Sequence, residues 1–170
     1  MFDVFIGHHE NKIDSKGRVS IPADFRKVLD EKDRDREPGT LPRMVMIFGD
    51  DRRDFLEVMS MRRLAILNKK IRRLPEYDRR RLDLENMIYE RAQQLVLDDT
   101  GRIVLPPYAR GKLGLEDKAL ILGRGDTFRI WHPDTHATKF VRPPADPKTG
   151  YDPDKDPMEY IGGDDEDDEA

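Results

Sequence analysis

Apolar residues follow two rhythms along this chain. Near residue 20 and again near residue 104 they alternate, Val19 with Ile21 and Ile103 with Leu105, the period-two mark of a strand buried on one face. Apolar runs at Val45–Phe48 and Phe55–Val58, and at Ala119–Leu122 and Phe128–Trp131, predict two further pairs of short strands, each pair folded around a turn. Between them, Met61, Leu64, Leu67, Ile71 and Leu74 recur at steps of 3, 3, 4 and 3, which is helical spacing. After Pro75 the set Tyr77, Leu84, Ile88, Ala92 and Leu95 continues at mostly helical intervals. Two helices broken at Pro75 are predicted, because proline lacks a backbone donor and clashes with the turn before it. The lysines and arginines between Arg62 and Arg81 fall on the opposite faces. They read as a solvated surface, with subunit or phosphate contact as the alternative.

The alternating segments belong to an internal repeat. Ile13-Asp14-Ser15-Lys16-Gly17-Arg18-Val19-Ser20-Ile21-Pro22 recurs 84 residues later as Leu97-Asp98-Asp99-Thr100-Gly101-Arg102-Ile103-Val104-Leu105-Pro106. A short basic helical stretch follows each proline, Ala23 to Leu29 and Pro107 to Leu113, in which Arg26 and Arg110 correspond. Each copy therefore reads as strand, tight turn, strand, proline-started helix and hairpin. Asp14 and Asp98 can accept hydrogen bonds from amides further along the turn, Gly17 and Gly101 can adopt positive φ, and Pro22 and Pro106 suit a first helical turn. The first copy carries an extra charged loop, Asp30 to Thr40. A unit this small cannot bury its own apolar face. Two copies facing each other can, so the expected fold is α+β, a pseudo-two-fold barrel or sandwich. The divisions are 1–58 for the first repeat, 59–93 for the helical segment, 94–142 for the second repeat and 143–170 for a tail.

Composition sharpens this picture in two places. The 170 residues are 36% hydrophobic and 39% charged, a lean core that calls for a solvated appendage or for burial against other subunits. The net charge of −4 conceals an asymmetry: 11 Asp and Glu stand against 2 Lys past residue 142, leaving 29 Lys and Arg against 24 Asp and Glu before it. The folded body is basic and suits a polyanion. The tail, rich in proline and ending in the acidic run Asp164 to Glu169, reads as disordered and solubilising. Alternatively, the tethered run competes with a polyanion for the basic body. With no cysteine, disulfides, thiolate metal sites and cysteine nucleophiles are excluded. The longest apolar run, Met44 to Phe48, is too short to span a bilayer, and no basic-then-apolar leader opens the chain. The expectation is a cytoplasmic protein without membrane contact.

Each repeated turn sets an Asp and an Arg four residues apart. One reading is a local brace in which Asp14 pairs with Arg18 and Asp98 with Arg102. The other is that the carboxylates shape the turns while Arg18 and Arg102 project outward as a matched pair. A guanidinium grips phosphate oxygens, or the O6/N7 edge of guanine, with two parallel hydrogen bonds. Lys16, present in the first copy only, would add a phosphate contact.

The two D-x-x-G-R-apolar-x-apolar-P turns, the opening Phe5-Ile6-Gly7 and the helical segment between the copies resemble the MraZ family, built from two AbrB-like swapped-hairpin repeats. The resemblance spans roughly Phe5 to Phe140. It implies a small β-barrel flanked by helices, in a nucleoid-associated transcriptional regulator, a repressor, of the division and cell-wall gene cluster. Such a protein binds tandem repeats in double-stranded DNA upstream of its own operon as a ring-like homo-oligomer. By position, Arg18 and Arg102 become the leading DNA contacts and Lys16 a secondary one, with Asp14, Gly17, Asp98 and Gly101 shaping the turns. The Asp30–Thr40 insert and the acidic tail depart from the compact family pattern.

Other chemistries fare less well. His132 and His136 have a metal-like i, i+4 spacing but no obvious third ligand, so neither a metal nor another cofactor is expected. Asp14 and Asp98 each have an Arg four residues on that favours the ionised state, against an acid–base pair and an enzyme. Arg124-Gly125-Asp126 falls at a hairpin turn and reads as chance. An antitoxin-like or scaffold module on the same fold is the remaining alternative.

Overall fold

The computed structural model describes residues 3–139 and 142–162. The chain forms two compact units, Met1–Ala137 and Thr138–Ala170. In the first, β1 (His8–Lys12), β2 (Arg18–Ser20), α1 (Ala23–Glu31), β3 (Arg43–Ile47) and β4 (Phe55–Ser60) make one copy of the repeat. Then come α2 (Met61–Arg72), α3 (Arg79–Glu85) and a π-helical turn at Asn86–Glu90. The second copy follows as β5 (Ala92–Val96), β6 (Arg102–Val104), α4 (Pro107–Leu113), β7 (Lys118–Gly123) and β8 (Thr127–Trp131), and α5 (Pro133–Lys139) closes the series.

The strands exchange partners between copies. A six-stranded antiparallel sheet runs in the order β1-β7-β8-β4-β3-β5, and β2 pairs with β6 in a separate ribbon. The first strand of each copy thus lies on the hairpin of the other, with His8 opposite Leu122 and Arg43 opposite Val96. The two hairpins meet at the middle of the sheet, Phe55 opposite Trp131 through Met59 opposite Thr127. The expected barrel is not confirmed: among the described residues no sheet is closed, and β1 and β5 are the edges of the six-stranded one. Pro22 and Pro106 follow β2 and β6 and start α1 and α4, and the ribbon meets the ends of β1 and β5 through the turns, where Ile13 bridges Val19 and the Asp98 amide donates to the Arg102 carbonyl.

The main core takes residues from both copies. Val19, Ile21, Ile103 and Leu105 from the ribbon, and Phe25, Val28, Leu29 and Ala109 from α1 and α4, pack with Met44, Met46, Leu56, Ile121, Phe128 and Ile130 of the sheet. At its centre the rings of Phe5, Phe25 and Phe128 stand 5.0–5.3 Å apart. A second cluster of Val45, Ile47, Met59, Ile71 and Ile88 joins the helical segment to β3 and β4. Ser60 ends β4 and caps α2 at once, its hydroxyl accepting from the Arg63 amide at 3.1 Å.

The helical segment breaks around Pro75 as its spacing predicts, with Asp78 capping α3, but the second helix does not continue to Leu95. Ala92 and Leu95 lie on β5 and go to different clusters, Ala92 to the second and Leu95 to the first, and Tyr77 is exposed. Pairing with β3 over Arg43–Ile47 supplies β5 with backbone partners that local spacing does not reveal. The charged insert is also more than a loop. Asp33, 1% exposed, accepts from the Arg43 backbone amide at 2.9 Å and from its guanidinium at 2.6 and 3.0 Å.

The second unit carries local structure where a disordered tail over 143–170 is expected. Residues Asp146 and Tyr151 form a bridge, and a 3₁₀ turn at Pro157–Ile161 is capped by Asp156. The rings of Tyr151 and Tyr160 stack at 6.0 Å. The Tyr160 hydroxyl accepts from the Asp152 amide at 2.8 Å and donates to its carbonyl at 2.7 Å. The run Asp164 to Glu169 lies outside the described residues.

Asp33→Asn should lower the unfolding free energy by about 1–3 kcal/mol in urea denaturation, because one partner of a charge-assisted set is lost. The Arg43 guanidinium holds the Asp33 carboxyl below its ordinary value. Its contribution is therefore complete above the unfolded value and fades as pH falls through the lower folded one. The gap between wild type and variant should stay constant down to roughly pH 5 and narrow below about pH 4.

Candidate nucleic-acid interface

The two repeated turns are built alike, atom by atom. In the first, the Asp14 amide donates to the Arg18 carbonyl at 3.0 Å and the Gly17 amide to the Asp14 carbonyl at 3.0 Å. The Asp14 carboxylate accepts from the Lys16 and Arg18 amides at 3.0 and 2.8 Å. In the second, Asp98 and Arg102 repeat the first of these bonds at 2.8 Å and Gly101 the second at 3.1 Å, with the Asp98 carboxylate receiving the Thr100 and Arg102 amides at 2.9 and 2.8 Å. Gly17 and Gly101 have φ of 77° and 79°, the left-handed region that costs other residues dearly. The Arg102 amide, with the Thr100 hydroxyl and amide, holds Asp98 at about 2. The Arg18 amide leads the same effect at Asp14, which also lies below the usual carboxylate range. Both carboxylates are thus charged at neutral pH.

Each arginine commits one side of its guanidinium to its own turn. Nε of Arg18 donates to the Asp14 carboxylate at 2.5 Å and Nε of Arg102 to Asp98 at 3.0 Å, so the local brace is real. Among the described residues these side chains make no hydrogen bond through their Nη groups, and they stay 32% and 31% exposed. The brace fixes the direction of each fork without using its outer donors.

The ribbon brings the two forks together. Register sets Arg18 opposite Val104, Val19 opposite Ile103 and Ser20 opposite Arg102. Val19 and Ile103 point into the core, so the pleat turns Arg18, Ser20, Arg102 and Val104 to the other face. On such a face diagonal neighbours stand roughly 7–8 Å apart, and the arginines occupy one diagonal. The ribbon is extended by symmetrical bonds, the Ile21 amide to the Gly101 carbonyl at 3.0 Å and the Leu105 amide to the Gly17 carbonyl at 2.8 Å. The side chain of Lys16 stands exposed at the tip of the first turn.

Two further arginines belong to this surface. Arg110, from the second copy, lies over the first turn, and Arg26, from the first copy, lies over the second. A Cβ placed on Gly17 would come 2.9 Å from Cζ of Arg110, and one on Gly101 would come 2.7 Å from Cζ of Arg26. Both glycines are buried beneath these guanidinium groups. The Nε atoms of Arg26 and Arg110 are buried and, among the described residues, have no hydrogen-bond partner. Their common offset of 84 residues was the available signal. Sequence spacing alone could not show that each crosses to the opposite copy's turn.

The remaining candidates are placed elsewhere and perform local tasks. His132 accepts the Asp134 amide at Nδ1 at 3.1 Å, and the His136 ring meets Trp131 edge-on. Among the described residues no group of three or more His, Cys, Asp or Glu could hold a metal ion, and no helix is long and apolar enough to cross a membrane. The Arg124–Asp126 tripeptide forms the β7–β8 turn, and its Gly125 carbonyl accepts from Phe5 at 2.8 Å.

Comparison with known proteins matches residues 4–69 and 88–140 to the family described as "MraZ protein, putative antitoxin-like". The chain is 40% identical over 159 residues to a transcriptional regulator MraZ of Ruegeria pomeroyi, covering 94% of this chain and 95% of that one. It is 38% identical, with the same coverage, to the protein of that name from a second Ruegeria strain. A third, from Rickettsia felis, is 34% identical over 131 residues, 77% of this chain and 83% of its own.

Gly17→Ala should cost about 1–2 kcal/mol for the left-handed backbone and a further amount for displacing Arg110. In an Arg110→Ala background the second part should vanish, giving a coupling of roughly 0.5–3 kcal/mol by denaturation. Equal costs in both backgrounds would contradict the crossing contact.

Proposed function

Because this chain belongs to the MraZ family, we propose that it is a transcriptional regulator that meets double-stranded DNA with the outer face of the β2–β6 ribbon. The observation that carries this reading is the pair of Arg–Asp turns, joined by one ribbon, with both forks braced through Nε and, among the described residues, no hydrogen bond on their Nη donors. A two-stranded ribbon fits the major groove of B-DNA, which is about 12 Å wide and presents the guanine O6/N7 edge there. Arg18 and Arg102 take the base edges or the phosphates beside them. Lys16 takes a phosphate, and Arg26 and Arg110 add positive charge at the two ends. Asp14 and Asp98 remain turn-shaping residues, and their charge is already committed to the brace.

One chain offers a small contact, so binding gains strength from repetition. A ring-like homo-oligomer on tandem repeats makes the second contact intramolecular and raises avidity without any new interaction. Repression follows where those repeats overlap a promoter upstream of the division and cell-wall genes, with the protein acting in the cytoplasm at the nucleoid. No enzymatic step enters this reading, in keeping with relatives that are named as regulators.

The test is a salt-titrated binding assay on the upstream region of the protein's own operon. Arg18→Ala with Arg102→Ala should weaken specific binding by roughly 100-fold or more, since a good bidentate base contact supplies about 1–3 kcal/mol, while the oligomer mass stays the same. Lys16→Ala should weaken binding to all sequences alike and flatten the slope of log K against log salt by about 0.9. Full operator binding by the double arginine variant would overturn the site.

A further inference from the structure

The two-fold likeness of the ribbon is broken at one position on its outer face. Where the first copy has Ser20, the second has Val104. Val104 is 55% exposed and, among the described residues, belongs to neither hydrophobic cluster, so its branched apolar side chain is not part of either core. It lies directly across the ribbon from Arg18, while Ser20 lies across from Arg102. The difference extends to the turn tips, where Lys16 in one copy corresponds to Thr100 in the other. One end of the contact face is therefore Lys, Arg and Val, and the other is Thr, Arg and Ser. Arginines alone would look the same to a duplex from either direction. The valine and the lysine make the two ends chemically different.

On the reading proposed above, and resting on it, we propose that Val104 is a specificity-determining residue that packs on the C5-methyl group of a thymine and so fixes the direction in which the chain lies on DNA. In the major groove the thymine methyl is the apolar mark that an aliphatic side chain can read, beside the guanine edge that suits arginine. Directly opposed residues of an antiparallel pair stand about 4.5–5.5 Å apart. Base pairs stack about 3.4 Å apart along a strand. The thymine read by Val104 accordingly lies one or two base pairs from the contact of Arg18. Ser20, with a hydroxyl in the mirror position, has no such preference for a methyl group. The recognised element is then directional, and repeated copies of it run in the same sense.

The probe is a duplex selected from a random pool by the full-length protein, with each thymine in turn replaced by deoxyuridine, which lacks only the methyl group. Wild type should lose affinity roughly 4-fold, the worth of one buried methyl, at a single thymine within two base pairs of the base pair whose preference disappears in Arg18→Ala. Val104→Ser should bind the unmodified duplex about 4-fold more weakly, show no response to that replacement and keep the oligomer mass. Adding Ser20→Val to Val104→Ser should move the response to the mirror-related position. Deoxyuridine insensitivity of the wild type, retained sensitivity in Val104→Ser, or a changed oligomer mass in that variant would each overturn the assignment, the last by making Val104 a subunit contact. Intact binding by the Arg18→Ala, Arg102→Ala double variant would instead overturn the DNA reading and this inference with it.

Discussion

Neither copy of the repeat has a complete set of strand partners, and this incompleteness governs the structure. The first strand of each copy needs the hairpin of the other, and β2 has no ladder without β6. Backbone donors and acceptors in a buried sheet must be paired, so the two copies come together as one body or lose their strands. The main core follows the same logic, since the ribbon's inward residues come from both copies and pack with α1, α4 and the sheet. The approximate two-fold of this exchange sets both turns on a single ribbon.

On the proposed function, one side chain at each turn serves structure and recognition together. A guanidinium has donors pointing in several directions. The Nε donor toward the aspartate is used at both turns, which restricts the fork before any partner arrives and reduces the entropy a partner must overcome. The crossing of Arg110 to Gly17 and of Arg26 to Gly101 ties each turn to the opposite copy. It also makes glycine necessary there for two reasons, backbone conformation and the flat group packed above it. Of the two alternatives open in the sequence, the brace is present through Nε at both turns, and the outward role of the remaining donors belongs to the proposal.

The sequence carried much of this because repetition doubles the signal. The turn residues, the strand alternation and the proline-started helices all recur at one offset, and Pro75 marks the helix break. What stayed hidden depends on partners remote in the chain. Ala92 and Leu95 fit a helical spacing until β3 is present to accept β5. The barrel expected from two facing copies is not confirmed, because among the described residues no sheet closes on itself. Asp33 is one acidic residue among many in a charged insert until Arg43 is seen beside it. The tyrosine stack of the second unit is likewise invisible in a composition dominated by proline and acid.

If the two like turns present their outer guanidinium donors to one duplex, Arg18 and Arg102 must respond to it together. Side-chain nitrogen NMR of selectively labelled arginine, followed during titration with an operator duplex, tests it most directly. The Arg18 and Arg102 Nη resonances should shift in step as the duplex is added, and their rotation about the Nε–Cζ axis should slow. Shifts confined to one turn, or to the arginines of α2 and α3 with Arg18 and Arg102 unchanged, would contradict it.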